Sequence, residues 1–514
     1  MTDDIAIDKM YAELLRVASN SEYGFVGLRG YWGIKSSENY QMRLLQMMKN
    51  TRRLARECSI LYGEGKFWLF DTKIYVPVRE ELVERSFRLV TEYFEIIESV
   101  KQKIFATEFI KTIRYYNPMR RSNNLVAFNN GILNLGGMLK GVEPTFYPVH
   151  GPQYHVTYYH PYDYDPKAKC LMWQNFLHEV LPDKNARVIL QMFLGLGLID
   201  AADAYNPCEG KESPKVELCL ILIGNGANGK SVIYKTAQGI FGKERISGVD
   251  YDELTSGGDE GMRARRLLRE AVFNWSSDSD GRTFGRKRSG VFKRIVSGET
   301  VTDRAIGENV SQNDNMPYLV FSLNELPYPD DQSLGFIRRL QFISFDVVIP
   351  KDRQNKTLAR DLVRNYPGIF NWILRGTQEI IRRKFIFPSS DGSRRAMLLT
   401  QLRVSPVLAW ATAYGARGTA EAKGEIGVYI SQSVIRKSLD MFCEDNEAPE
   451  IPSDTKVGRE LASMGFYKRR HKGDTEYLVY GCTEERLGMR FIIRNESLTA
   501  RFQMDDETFI KEDD

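Results

Sequence analysis

Eight consecutive residues carry the plainest chemistry in this chain: Gly224, Asn225, Gly226, Ala227, Asn228, Gly229, Lys230 and Ser231. They fit GxxxxGK[ST] without a mismatch. Glycines let the backbone curl until successive N–H groups converge, and the following helix adds its own N-terminal donors, so phosphate oxygens are cradled. A lysine here offers a point charge to the β- and γ-phosphates, and the serine hydroxyl is a ligand for Mg2+. The expected substrate is ATP, the expected ion is Mg2+, and Val232 is counted with the nucleotide contacts.

Such a loop needs a strand before it and a helix after it. The apolar run 216–223 reads as a buried strand, and 231–240 reads as helix. The chemistry also needs an acid, to hold Mg2+ and place water. A second strand, 270–277, ends in Asp278-Ser-Asp280, and an acid at the carboxyl end of a sheet strand lies in the crevice where open α/β sheets bind ligands. Asp278 is the first choice and Asp280 the second. A third strand, 318–323, ends in Asn324, whose amide is placed for the γ-phosphate or the attacking water. A fourth, 336–345, is opened by Arg338 and Arg339. Arginine from a neighbouring subunit neutralises charge in a phosphoryl-transfer transition state, and Arg339 is preferred over Arg338 because it directly precedes the strand.

Around this core the chain changes rhythm several times. The run 67–77 looks like a strand, 80–112 like one long amphipathic helix, and Asn129-Asn130-Gly131 like a turn between two apolar runs. Residues 166–200 read as helix, with Trp173, Phe176, Leu177, Val180 and Leu181 at helical spacing. A polar stretch, 205–214, reads as a linker. Strands alternating with helices then predict a parallel sheet up to about 350. Helix follows over 355–384, then a polar loop at 388–393. In the tail, helices are expected over 434–443 and 456–465, the second closed by Gly465. A hairpin follows over 466–480, turning at Gly473-Asp474. Two helices and a hairpin fit a winged helix, with Lys468, Arg469, Arg470 and Lys472 on the wing. The alternative is a small packing domain with a charged hairpin.

The order of glycine loop, Asp278, Asn324 and the pair Arg338–Arg339 resembles the superfamily 3 helicases, in the branch of poxvirus-type and phage or plasmid primase-helicases. Lys293, Ser297-Gly298-Glu299 and Arg304 match the stretch that precedes the family's DNA-facing hairpin. The segments 127–135, 164–177 and 367–376 match family segments before and after the ATPase core. The resemblance implies an AAA+-like P-loop ATPase core with a parallel sheet at 205–388. It implies a mixed α/β region at 1–115, a mostly helical region at 116–204 and a winged-helix domain at 400–514. It further implies a homo-hexameric ring that moves on single-stranded and forked DNA in the replication of a phage, plasmid or mobile element. Lys293, Arg294 and Arg304, with the hairpin at 306–310, would track the DNA backbone. No acidic metal-binding set of a primase is found in the first 110 residues, so priming is expected from a separate polypeptide or initiator.

Bulk properties constrain the rest. The 514 residues carry 71 Lys and Arg against 67 Asp and Glu, a net charge of +4, so a nucleic-acid surface must be local. No run of apolar residues is long enough for a membrane span, and the acidic start lacks the pattern of a signal peptide. The six cysteines form no CxxC pair, which fits a reducing host cytoplasm. His150, His155 and His160 recur at a spacing that suits neither a helix face nor a strand face, so they are not read as a metal site. Arg286-Lys-Arg288 reads equally as DNA contact or solvated loop. Two other functions remain open: a DNA-stimulated ATPase that loads or packages DNA without unwinding it, and a P-loop regulatory scaffold that ignores DNA.

Overall fold

A computed structural model describes residues 2–19, 38–63, 65–94, 99–119, 124–199, 216–279, 284, 289–307, 309–314, 316–327, 329, 334–419, 424–496 and 499–503. The expected linker at 205–214 and the basic triplet at 286–288 lie outside them. Contacts divide the chain into two units, Met1–Tyr164 and Asp165–Asp514.

In the first unit, helices Asp3–Ala18, Glu38–Glu57, Glu80–Tyr93 and Ser99–Tyr116 close on one apolar core. Phe87 and Phe109 stack at its centre, 4.5 Å between ring centroids. The stretch expected to be one helix is two, because the chain leaves helical geometry at Phe94. The run 67–77 is likewise two strands rather than one. Lys66–Phe70 and Tyr75–Val78 pair antiparallel around a turn in which Thr72 takes φ 59° and the Asp71 N–H donates to the Ile74 carbonyl at 2.7 Å. Alternation of side chains does not register a reversal of the backbone, so the pattern looks continuous. The Asn129-Asn130 turn forms as read, with Phe128 paired to Gly131 across it.

The second unit is built on a parallel sheet of five strands in the order Leu340–Ser344, Cys219–Ile223, Tyr318–Leu323, Phe273–Ser279, Ile246–Ser247. Every residue of Cys219–Ile223 is buried, as expected for a parallel strand covered on both faces. Helix Lys230–Phe241 follows that strand. Helices Leu171–Val180 and Lys184–Leu196 replace the single helix expected over 166–200. Pro182 lies between them, and the Asp183 carboxylate caps the second by accepting from the Asn185 and Ala186 N–H groups. Lys184–Leu196 packs on helix Tyr366–Arg382.

The polar stretch at 388–393 is only partly loop. Helix Asp391–Val404 begins inside it, capped by the Ser390 hydroxyl, and runs through the position where a new domain was expected to start. It lies along Leu340–Ser344 and continues into contact with helix Pro406–Tyr414. Beyond that come strand Val428–Ser431, helices Gln432–Asp445 and Asp454–Ser463, and the hairpin Tyr467–His471 with Asp474–Val479. The three strands form one antiparallel sheet with Asp474–Val479 in the middle. The hairpin turns at Lys472-Gly473, one residue earlier than expected. His471 pairs with Asp474, and both loop residues have positive φ, 50° and 91°, the geometry that matches strand twist. Among the described residues no helix is long and apolar enough to cross a membrane.

Candidate functional site

The loop between Cys219–Ile223 and Lys230–Phe241 is curled by three residues of positive φ, Gly226 at 36°, Ala227 at 54° and Gly229 at 88°. Gly229 opens the helix and accepts from the Val232 and Ile233 N–H groups at 3.0 and 3.2 Å. Behind it stands helix Leu171–Val180: a Cβ on Gly229 would lie 2.9 Å from Phe176 Cζ and from Val180 Cγ1. Two apolar residues read only as a helical stripe therefore form the floor of the loop. Lys230 is buried and folds across the loop, its Nζ donating to the Gly224 carbonyl. Ser231 is exposed beside it and Val232 half-buried. Asn228 is buried, with Nδ2 3.5 Å from the Phe345 carbonyl, and the Ile349 N–H donates to the Ala227 carbonyl at 2.9 Å. A curled loop that lacks Cβ atoms at its tightest point, a helix N-terminus and a buried ammonium fit the triphosphate of ATP. The Ser231 hydroxyl, exposed in the first turn of the helix, would be the loop's ligand for a Mg2+ ion.

The neighbouring strands end level with this loop. Ile223 pairs with Leu323 on one side and Ser344 on the other, and Leu323 pairs in turn with Ser279. Register thus brings Gly224, Asn324 and the end of Phe273–Ser279 to one edge of the sheet. Asn324 is exposed there. Asp278 lies in the last strand, where the pairing shifts between Ser276 and Ser279. Its backbone is therefore at the crevice, while its side chain and Asp280 lie outside the description.

Arg338 and Arg339 are at the opposite edge. They sit in the turn between the short helix Leu334–Ile337 and strand Leu340–Ser344, so Phe336 and Ile337 are helical rather than the start of the strand. The Arg339 carbonyl accepts from the Cys219 N–H at 2.7 Å. The length of Cys219–Ile223, about 16 Å at roughly 3.3 Å per residue, separates the pair from the loop of its own chain. The two arginines differ sharply. Arg339 has 10% of its side chain exposed. Its Nη2 donates to Glu217 Oε2 at 3.1 Å and to Ser297 Oγ at 2.8 Å, and its Nη1 donates to the Gly335 carbonyl. Arg338 is 66% exposed and, among the described residues, pairs with Glu217 at 3.3 Å. Arg339 is thus a structural tie, and Arg338 is the arginine presented outward.

A separate two-stranded hairpin pairs Val301–Asp303 with Ser311–Asn313. Its base is held by residues that sequence reading missed. Asp303 is buried and accepts from Arg269 Nε at 2.6 Å and Nη2 at 2.8 Å, and from Ser311 Oγ at 2.8 Å. Burial pushes the Asp303 carboxyl up, but the Arg269 and Ser311 hydrogen bonds more than offset it and hold it below the usual carboxylate range. Arg265 donates to the Thr302 carbonyl at 3.0 Å. Of the expected DNA contacts, Lys293 is half-buried on helix Ser289–Val296, Arg294 is exposed near Glu299, and Arg304 pairs with Asp259 at 3.1 Å. The loop between the two strands also exposes two apolar residues, Ile306 by 83% and Val310 by 52%.

The basic residues of the tail do not share a face. Arg469 bonds Glu476 at 2.7 Å and lies over the Tyr429 ring, 3.2 Å from its centroid. Lys468 and Arg470 alternate to the other side and are exposed.

The five parallel strands with their flanking helices make the second unit an α/β architecture, with the curled glycine loop at the carboxyl end of its Cys219–Ile223 strand. Residues 6–182 match the family model described as "D5 N terminal like". Among solved structures, the chain is similar to an A-form apo structure of the NrS-1 C-terminal region, with 10% identity and a TM-score of 0.39, covering 82% of this chain and 95% of that one. A second apo structure of that region, residues 305–718, gives 11% identity, a TM-score of 0.39 and the same coverage. No curated protein matches the chain.

Proposed function

We propose that this chain is an ATP-dependent DNA helicase of phage-type replication, working as a ring on single-stranded and forked DNA in the host cytoplasm. One observation carries the reading. The glycine loop, Asn324 and the strand bearing Asp278 share one edge of the sheet, whereas the exposed Arg338 is at the other edge, out of reach of its own loop. A site that needs an arginine must then take it from the neighbouring subunit. Lys230 and the loop N–H groups hold the triphosphate. Ser231 and Asp278 hold Mg2+, which when bound neutralises phosphate charge. Asn324 orients the attacking water, and Arg338 of the adjacent copy meets the charge that develops on transfer. The match to a D5 N-terminal-like region supports a replication role. Lys293 and Arg294 on helix Ser289–Val296 and Arg304 on the hairpin 301–313 contact the DNA, with Ile306 in the loop of the hairpin. The tail, with its helices and three-stranded sheet, is a winged helix that meets duplex DNA through Lys468 and Arg470, while Arg469 braces the wing.

The test is ATP hydrolysis with and without single-stranded DNA, beside displacement of a labelled strand from a fork. The wild-type protein is expected to hydrolyse ATP faster with DNA and to displace the strand, and Lys230→Ala to do neither. DNA-stimulated hydrolysis without displacement would turn the reading to a loader or packaging ATPase. Hydrolysis by folded Lys230→Ala at the wild-type rate would refute the site itself.

A further inference from the structure

The first unit carries a charge that nothing above uses. Helices Glu38–Glu57 and Ser99–Tyr116 hold nine Lys and Arg against three Glu, more excess charge than the +4 of the whole chain. The two helices pack on each other. Two contacts join them: Arg52 bonds Glu108 at 2.5 Å, and the Arg56 guanidinium lies over the Tyr116 ring, 4.0 Å from its centroid. Helical spacing puts Leu45, Lys49, Arg52 and Arg56 in one line on the first helix. On the second it lines up Val100, Ile104, Lys111 and Tyr115. These residues are exposed, Tyr115 by 78%. Tyr115 and Tyr116 meet edge to face at 4.7 Å. Arg52 and Arg114 have carboxylate partners, but Lys49, Arg56, Lys103 and Lys111 form no ion pair among the described residues.

A row of cations beside an exposed tyrosine pair is the composition of a surface that follows a nucleic-acid backbone and stacks its bases. A folded soluble domain gains nothing by crowding like charges along two adjacent helices, so the repulsion is tolerated for an anionic partner. We propose that this helix pair binds single-stranded DNA, with Lys49, Arg56 and Lys111 on phosphates and Tyr115 stacked on a base. This contact is separate from the hairpin of the second unit, and it does not depend on the ATPase reading. It gives the chain a second grip on the strand.

Binding of the full-length protein to fluorescein-labelled oligo-dT, followed by anisotropy across a salt series without nucleotide, tests this. Lys49→Ala with Lys111→Ala should lower the slope of log K against log salt by about 1.4, roughly 0.7 for each lost phosphate contact on a single strand. Lys49→Arg with Lys111→Arg should keep the wild-type slope. Tyr115→Ala should weaken binding about tenfold, as loss of one stacked base does. All three are surface changes, so unfolding midpoints and basal ATP hydrolysis should stay as in wild type. Unchanged slope and affinity in the alanine variants would overturn the proposal. So would loss of binding to phosphatidylserine vesicles with oligo-dT binding intact, which would make the surface a lipid contact.

Discussion

Replacing Arg338 and Arg339 one at a time separates a chemical role from a structural one. Arg339→Ala removes a guanidinium with 10% side-chain exposure, together with its bonds to Glu217, Ser297 and Gly335. Breaking a largely buried pair costs about 3 kcal/mol at the lower end of the observed range. At about 2.1 cal/mol/K of unfolding entropy per residue, for a unit as long as Asp165–Asp514 that is a fall in melting midpoint of roughly 4 °C. Arg338→Ala removes a 66% exposed side chain with one ion pair, worth less than about 1 kcal/mol, so its midpoint should hardly move. Its hydrolysis rate, however, should fall by roughly a thousandfold or more, while ATP still binds at the subunit's own loop. The assay is steady-state ATP turnover beside calorimetric midpoints and binding of a fluorescent ATP analogue. Mixing completes it. Lys230→Ala keeps Arg338, and Arg338→Ala keeps Lys230, so co-assembled rings should recover part of the activity at interfaces that join one good loop to one good arginine. Full turnover by Arg338→Ala would refute the reasoning, and so would mixtures that co-assemble and stay inactive.

Three further outcomes are expected. Gly229→Ala should cost about 2–4 kcal/mol, from a left-handed φ and from overpacking against Phe176 and Val180. Adding Val180→Ala should recover only part of the loss, as read from urea midpoints. Asp303→Asn should destabilise the protein by about 3 kcal/mol at pH 7 by leaving Arg269 without its carboxylate. Because the folded-state pKa of Asp303 is lowered, its contribution is present above the unfolded value of about 3.9 and is lost as pH falls through the folded value. The gap between wild type and variant should therefore shrink below about pH 4, and a gap constant with pH would disprove the assignment. Deletion from residue 406 should weaken duplex DNA binding and spare basal ATP hydrolysis. Deletion from residue 400 should impair both, since it removes Val404 from the core of the sheet and the bond from Arg403 to the Leu326 carbonyl, 3.0 Å long; equal behaviour of the two truncations counts against this.

What was legible in the sequence was local. The strand, loop and helix around Lys230 follow from an apolar run and a glycine pattern, and the strand 318–323 came out with its observed bounds. Reversals were harder. A tight turn at 71–74 leaves the alternation of 67–77 undisturbed, and two amphipathic helices over 80–116 read as one. The choice between Arg338 and Arg339 could not come from their neighbours in sequence. What distinguishes them in the structure is Glu217 and Ser297, which lie 122 and 42 residues from Arg339 and hold its side chain. The same holds for the hairpin, whose mounting depends on Asp303 meeting Arg269, 34 residues away. A basic residue counted as a DNA contact from sequence is only a charge, and Arg469 turns out to spend its charge on Glu476 and Tyr429.

The helix Asp391–Val404 has 14 residues, about 21 Å of rigid rod. One end is fastened to strand Leu340–Ser344, through Gln341 to the Ser393 hydroxyl at 2.8 Å and through Ser344 to the Gly392 carbonyl at 3.3 Å. The other end sinks Leu398 and Leu402 into the core of the tail. A loosely tethered tail would let the two halves of this unit move independently; a rod clamped at both ends does not. Ala396 and Val404 of the same helix lie in the core of the sheet, so one continuous helix is shared by the two cores and makes the sheet and the tail a single packed body.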